Sequence, residues 1–161
     1  MGVSGSGKSV IGAALARALG VEFVEGDDYH SAENVARMAS GIPLTDDDRR
    51  GWLHALAARI REARDARAGL VIACSALKRS YRDILRADSS SDELRFVFLR
   101  GPRAVVAERL ASRRGHFFAP SLLDSQFAAL QEPSPDEEAW VCDIEEPPED
   151  LVAHLVARAS T

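Results

Sequence analysis

Residues 2–9 read Gly-Val-Ser-Gly-Ser-Gly-Lys-Ser, a full match to the pattern G-x-x-x-x-G-K-[ST]. Three glycines in six positions let a backbone curl so that successive N–H groups converge on phosphate oxygens. A helix that starts near Lys8 aims its positive end at the same anion. In this pattern Gly2, Val3, Ser4, Gly5, Ser6, Gly7, Lys8 and Ser9 form the cradle. Lys8 reaches the β- and γ-phosphates, and the Ser9 hydroxyl joins the shell of a Mg²⁺ ion. A flexible Gly/Ser tail would not run into an amphipathic helix, yet Val10, Ile11, Ala14, Leu15 and Ala18 share one helical face directly after Ser9. Nucleotide binding follows.

Working outward, short apolar runs alternate with helical patterns, the signature of a parallel α/β sheet. Strands are expected at 21–25, 70–74, 95–99 and 139–143. Helices are expected at 8–19, 31–39, 78–87, 102–114, 121–130 and 149–159. A further helix opens at Thr45, with Asp46, Asp47 and Asp48 in its first turn and Trp52, Leu53, Leu56 and Ile60 on its buried stripe. A phosphate loop normally leaves a buried strand, and here the chain opens directly on the loop. In a doubly wound sheet that strand is central. The expectation is therefore a sheet whose first central strand is missing from this chain, with Met1 an internal residue of the native protein.

Composition bounds the rest. The chain has 161 residues, 46% hydrophobic and 28% charged, which is one domain with a packed core rather than a disordered or disulfide-built chain. A net charge of −5 argues against a nucleic-acid surface. No apolar run reaches membrane-spanning length, and the first residues are not those of a signal peptide. Cys74 and Cys142 lack metal-like spacing and read as reduced thiols buried in strands, which points to the cytoplasm. Of 20 basic residues 18 are Arg; only Lys8 and Lys78 are Lys. So strong a bias gives both lysines a chemical interest.

Elimination narrows the class. Guanine recognition needs Asn-Lys-x-Asp, but the only Asn is Asn34, followed by Val35. A motor or transporter ATPase ends a strand in an acid, whereas the 70–74 strand runs into Ser75-Ala76-Leu77-Lys78. Small kinases remain. The 21–25 strand leads into Gly26-Asp27-Asp28-Tyr29-His30, at the carboxyl edge where parallel sheets bind ligands. Phosphoryl transfer to an alcohol needs a carboxylate that orients the hydroxyl and takes its proton, a task open to Asp27 or Asp28. A solvated acidic turn reads the same way on composition alone.

Together these residues resemble the gluconokinase family, within the shikimate kinase-like branch of P-loop kinases. The resemblance rests on residues 1–9 and 26–30, and on residues 37–49 (Arg-Met-Ala-Ser-Gly-Ile-Pro-Leu-Thr-Asp-Asp-Asp-Arg). It extends through Trp52-Leu53, residues 74–82 (Cys-Ser-Ala-Leu-Lys-Arg-Ser-Tyr-Arg), 114–118 (Arg-Gly-His-Phe-Phe), 125–127 and 130–133. It implies one domain over 1–161 with the P-loop kinase-type three-layer α/β fold and a mostly parallel sheet. It also implies transfer of phosphate from ATP, with Mg²⁺, to the 6-hydroxyl of D-gluconate, a step feeding the pentose phosphate pathway, and possible homodimers.

The resemblance assigns roles by position. Asp27 matches the acid that holds and deprotonates the acceptor hydroxyl, and Glu25 lies where relatives place an acid near the Mg²⁺ waters. Arg49 matches an Arg of the substrate segment, and a carboxylate suits its planar fork. An ion pair with Asp46 is its plain alternative. His30, Lys78, His116 and Gln126 are the other acceptor contacts implied. Residues 109–118 resemble a lid, with Arg109 against adenine and Arg113 or Arg114 reaching the transferring phosphoryl group. Two rivals stand beside this reading. One is a kinase for another hydroxy acid such as shikimate; the other is a non-catalytic ATP-binding module.

Overall fold

The computed structural model describes residues 1–87, 89–112 and 120–160. In chain order they form α1 (Lys8–Leu19), β1 (Glu22–Glu25), a 3₁₀ turn (Gly26–Tyr29), α2 (Ala32–Ala39), α3 (Asp46–Asp65) and β2 (Leu70–Ala73). There follow α4 (Arg79–Arg86), β3 (Val97–Arg100), α5 (Arg103–Ala111), α6 (Pro120–Ala129), β4 (Trp140–Asp143) and α7 (Pro148–Ala159). The expected helices and strands are present within a residue or two of their expected bounds, except that the helix expected at 102–114 is described only to Ala111, residues 113 and 114 lying outside the described residues. The α3 start is the one the acidic triplet announced. Thr45 caps it by accepting from the Asp48 amide, and the Asp48 carboxylate accepts from Thr45 N in return.

The strands form two parallel pairs, β1 with β2 and β3 with β4. Alternation along them sends neighbouring side chains to opposite faces. Val71 packs with a core built from α1, α5, α6 and α7, centred on Ile11, Leu15, Leu99, Val106 and Leu155. Ile72, one residue on, packs with the core of α3 and α4, around Trp52, Leu53, Leu56, Tyr81 and Leu85. Helices therefore cover both faces, and the three-layer expectation holds.

The described strands do not form one continuous sheet. Met1 lies between the two strand pairs: its amine donates to the Val97 carbonyl and its own carbonyl accepts from Leu99 N, on the β3 side. On the other side Gly2 N donates to Ser75 O, just past β2. Behind Met1 a cavity of about 660 Å³ runs between the facing edges, lined by Val71, Ile72, Val97 and Leu99 among others. Main-chain bonds of Met1 and Gly2 thus link the two pairs at this point. Burial in this position pulls the Met1 amine down to about 5, with the Lys8 charge adding to the pull.

Candidate active site

Three segments meet at the carboxyl ends of β1 and β2. The first is the phosphate loop. Gly2, Gly5 and Gly7 all have positive φ, at 142°, 83° and 99°, a path that Cβ-bearing residues rarely take. Gly7 is also the N-cap of α1, so the helix opens directly under the loop. Lys8 folds its Nζ back onto Val3 O at 3.0 Å, and the Ser9 hydroxyl stands on an exposed residue in the first turn of α1. Gln126 of α6 grips the loop from the side: its Oε1 accepts from Ser4 N at 2.6 Å and its Nε2 donates to Ser4 Oγ at 3.0 Å. Its hydrogen bonds therefore go to the donor loop. The α5 helix flanks the same loop, and a Cβ on Gly5 would stand 2.7 Å from Leu110. Arg109, in the last turn of α5, donates through Nη2 to Ile144 O at 2.6 Å.

The second segment leaves β1 through half-buried Glu25 and turns at Gly26. A Cβ on Gly26 would lie 2.4 Å from Ala73 O, so only glycine allows the two strand ends to approach this closely. The Gly26 carbonyl accepts from Trp52 Nε1 at 2.6 Å. His30 stacks on the same indole, with ring centroids 4.3 Å apart and 14° between planes. Trp52, 3% exposed and fixed in the α3 core, thus clamps both ends of the turn that carries Asp27 on the solvent side. Burial pushes the His30 pKa below its ordinary value; the Asp27 charge opposes this and the Arg49 charge adds to it. His30 is therefore neutral at neutral pH, able to donate or accept toward a hydroxyl. Its Nδ1 is buried with no hydrogen-bond partner.

The third segment, residues 74–78, follows β2. Ala76 sits at φ 44°, a left-handed conformation costly for a residue with a Cβ. It is held by Arg82, a fully buried side chain on α4. Arg82 Nη1 donates to Ala76 O at 3.1 Å, Leu77 O at 3.3 Å and Gln131 O at 2.9 Å. The rest of the guanidinium forks onto the buried Glu137, with Nη2 to Oε1 at 2.8 Å. Hydrogen bonds from Arg82 push the Glu137 carboxyl down to about 2. Gln131 adds a bond from its amide to Leu77 O and another from Arg79 N to its side chain. Beyond this turn, Lys78 Nζ donates to both carboxylate oxygens of Asp46, at 2.7 and 2.9 Å. Tyr81 OH donates to the same carboxylate, and Arg49 and Lys78 both lie against the Tyr81 ring, at 6.0 and 5.5 Å.

The structure therefore brings Asp27, His30, Arg49 and Lys78 to one edge, opposite the loop of residues 2–9. Burial pushes the Cys74 thiol, which lines this edge, up to about 11, so it is inert as a nucleophile. Arg113 and His116, with most of the expected lid, lie outside the described residues. Among the described residues no cluster of three or more His, Cys, Asp or Glu forms a metal cage.

The chain matches the AAA domain family over residues 1–133. It is 45% identical over 158 residues to the thermoresistant gluconokinase of Escherichia coli K12, covering 97% of this chain and 89% of that protein. The chain belongs to the gluconokinase family. A gluconokinase crystal structure from Sinorhizobium meliloti 1021 superposes with a TM-score of 0.88 at 46% identity, covering 99% of this chain and 89% of that one. An unliganded sugar kinase from Janibacter gives 0.90 at 46% identity, covering 98% and 90%.

The sequence names Asp27, His30, Arg49 and Lys78 but gives Tyr81 and Arg82 no separate task, and Asp46 reads there as a first-turn acid or an ion-pair partner of Arg49. A signal existed for Arg82. The buried stripe of α4 runs Tyr81, Arg82, Leu85, and an arginine in that stripe requires a buried anion somewhere in the chain.

Proposed function

We propose that this chain transfers the γ-phosphoryl group of ATP to the 6-hydroxyl of D-gluconate, giving 6-phospho-D-gluconate and ADP. The observation that carries the reading is the meeting of a phosphate loop with the Asp27 turn and the Lys78 segment at one sheet edge, in a chain of the gluconokinase family.

The donor side binds by backbone. Amides of residues 2–9 and the α1 N-terminus surround the phosphates, and Lys8 exchanges its Val3 carbonyl for phosphate oxygens when nucleotide enters. Gln126 steadies the loop from α6. Ser9 and Glu25 are the residues suited to a Mg²⁺ ion, which when bound offsets charge on the phosphates. The acceptor side binds by side chains. Asp27 accepts a hydrogen bond from the 6-hydroxyl and takes its proton as the oxygen forms its bond to phosphorus and the bond to ADP breaks. His30 supplies a neutral partner for the polyol, and Arg49 and Lys78 supply positive charge for its carboxylate.

Arg109, next to the loop on α5, and Arg113 and His116 beyond it belong to the proposed lid. Two buried thiols, Cys74 and Cys142, suit a reducing cytoplasm. A coupled ADP-release assay with gluconate, shikimate and nucleoside monophosphates tests the function. Gluconate-dependent turnover well above the other acceptors is expected; ATP binding with no acceptor-dependent ADP release overturns it.

A further inference from the structure

Arg49 on α3, Lys78 in the segment leading into α4 and Tyr81 on α4 converge on one small volume. Each is a carboxylate-recognising group: an ammonium, a phenol O–H and a guanidinium. Tyr81 is 5% exposed, so its ring is fixed by the core while its hydroxyl is delivered to the surface. That volume already holds a carboxylate. Asp46 takes two bonds from Lys78 and one from Tyr81, although its own side chain is 62% exposed at the start of α3. The bonds from Lys78 and then Tyr81 hold its pKa below the usual carboxylate range, with the Arg49 charge adding to them, so it is ionised at neutral pH.

Asp46 is not needed to build α3. The capping box that starts the helix uses Thr45 and Asp48, and the acids at 47 and 48 already complement the helix end. An exposed side chain free of that duty, with Lys78 and Tyr81 bonded to it and the Arg49 charge acting on it, has the properties of a stand-in. We propose that Lys78, Tyr81 and Arg49 form the receptor for the acceptor's carboxylate, and that Asp46 occupies it until the sugar acid displaces it. Tyr81 is then a substrate-binding residue and Asp46 an internal competitor. This rests on the gluconate reading above and names the subsite that selects an acid over a neutral polyol. Recognition follows from charge: an aldonic acid exchanges one carboxylate for another, whereas an uncharged polyol must leave Asp46 in place and gains none of the three donors.

Steady-state kinetics with gluconate, and with D-glucitol as acceptor or competitive inhibitor, test this on the full chain. Tyr81→Phe keeps the ring and removes one donor to an anion, so the gluconate KM is expected to rise about tenfold while the glucitol constant stays put. Asp46→Asn removes the competing charge at an exposed position, and the gluconate KM is expected to fall several-fold. A gluconate KM that stays put in Tyr81→Phe, or that rises or stays put in Asp46→Asn, overturns the proposal. A rise in Asp46→Asn would make Asp46 a holder of Lys78 instead. The two levels fail separately: wild-type chain with no gluconate-dependent ADP release overturns the function, while turnover insensitive to both substitutions overturns the receptor alone.

Discussion

On the proposed donor side of the site, one unbroken stretch, residues 2–9, supplies the cradle, and by this reading it does so with main-chain N–H groups. On the proposed acceptor side, Asp27, His30, Arg49, Lys78 and Tyr81 come from the 3₁₀ turn and its end, from α3, and from the residues leading into and beginning α4. A phosphate loop meets one ligand chemistry, phosphate, so geometry of the backbone suffices. The acceptor side must distinguish one hydroxy acid from another, which takes side chains, and side chains need bracing. Trp52 supplies it for the turn and the Arg82–Glu137 pair for the segment after β2. Specificity in this molecule is therefore the part that leans on the core.

The largest expected effect separates the two sides. Asp27→Asn removes the proton acceptor while leaving the loop intact, so kcat for gluconate should drop by roughly two to four orders of magnitude. ATP affinity, read by calorimetry, should stay near wild type; turnover within a few-fold of wild type would remove Asp27 from the chemistry.

Next comes the bracing. Glu137→Gln leaves Arg82 buried without its anion and should cost about 3 kcal/mol in urea unfolding at pH 7. Because the folded Glu137 carboxyl is held at about 2, below its ordinary 4.5, its contribution is complete above pH 4.5 and fades as pH falls toward 2. The deficit of the variant should therefore shrink at pH 3. The gluconate KM should rise in the same variant while the ATP constant holds. A rise in both would blur the distinction between the sides.

Arg49→Lys keeps the charge but loses the fork, and is expected to raise the gluconate KM about tenfold with little change in kcat.

Much of the fold was legible because its signals are local. The period-3.6 stripe after Ser9, the Thr45 cap and the four short apolar runs each specify their own element, and each element appears where they place it. The acceptor site was legible only in part. Asp27 and His30 follow a strand directly, so a rule about strand ends finds them. Gln126 reads as an acceptor contact in sequence, yet its side chain bonds Ser4 of the loop, because α6 packs beside α5 and the loop rather than beside β1. Tyr81 and Asp46 stand 35 residues apart, and nothing local couples them.

By itself the sequence determined that this chain has a phosphate loop on an α/β scaffold, since eight consecutive residues with three glycines carry a backbone geometry that needs no distant partner. Only the tertiary structure decided which charges share a pocket. Lys78 meeting Asp46 and Tyr81, Arg82 meeting Glu137, and Met1 standing between two strand pairs all depend on how helices pack across the sheet. Those contacts are long in sequence and short in space, and their partners are set by the burial of apolar faces rather than by any neighbour in the chain.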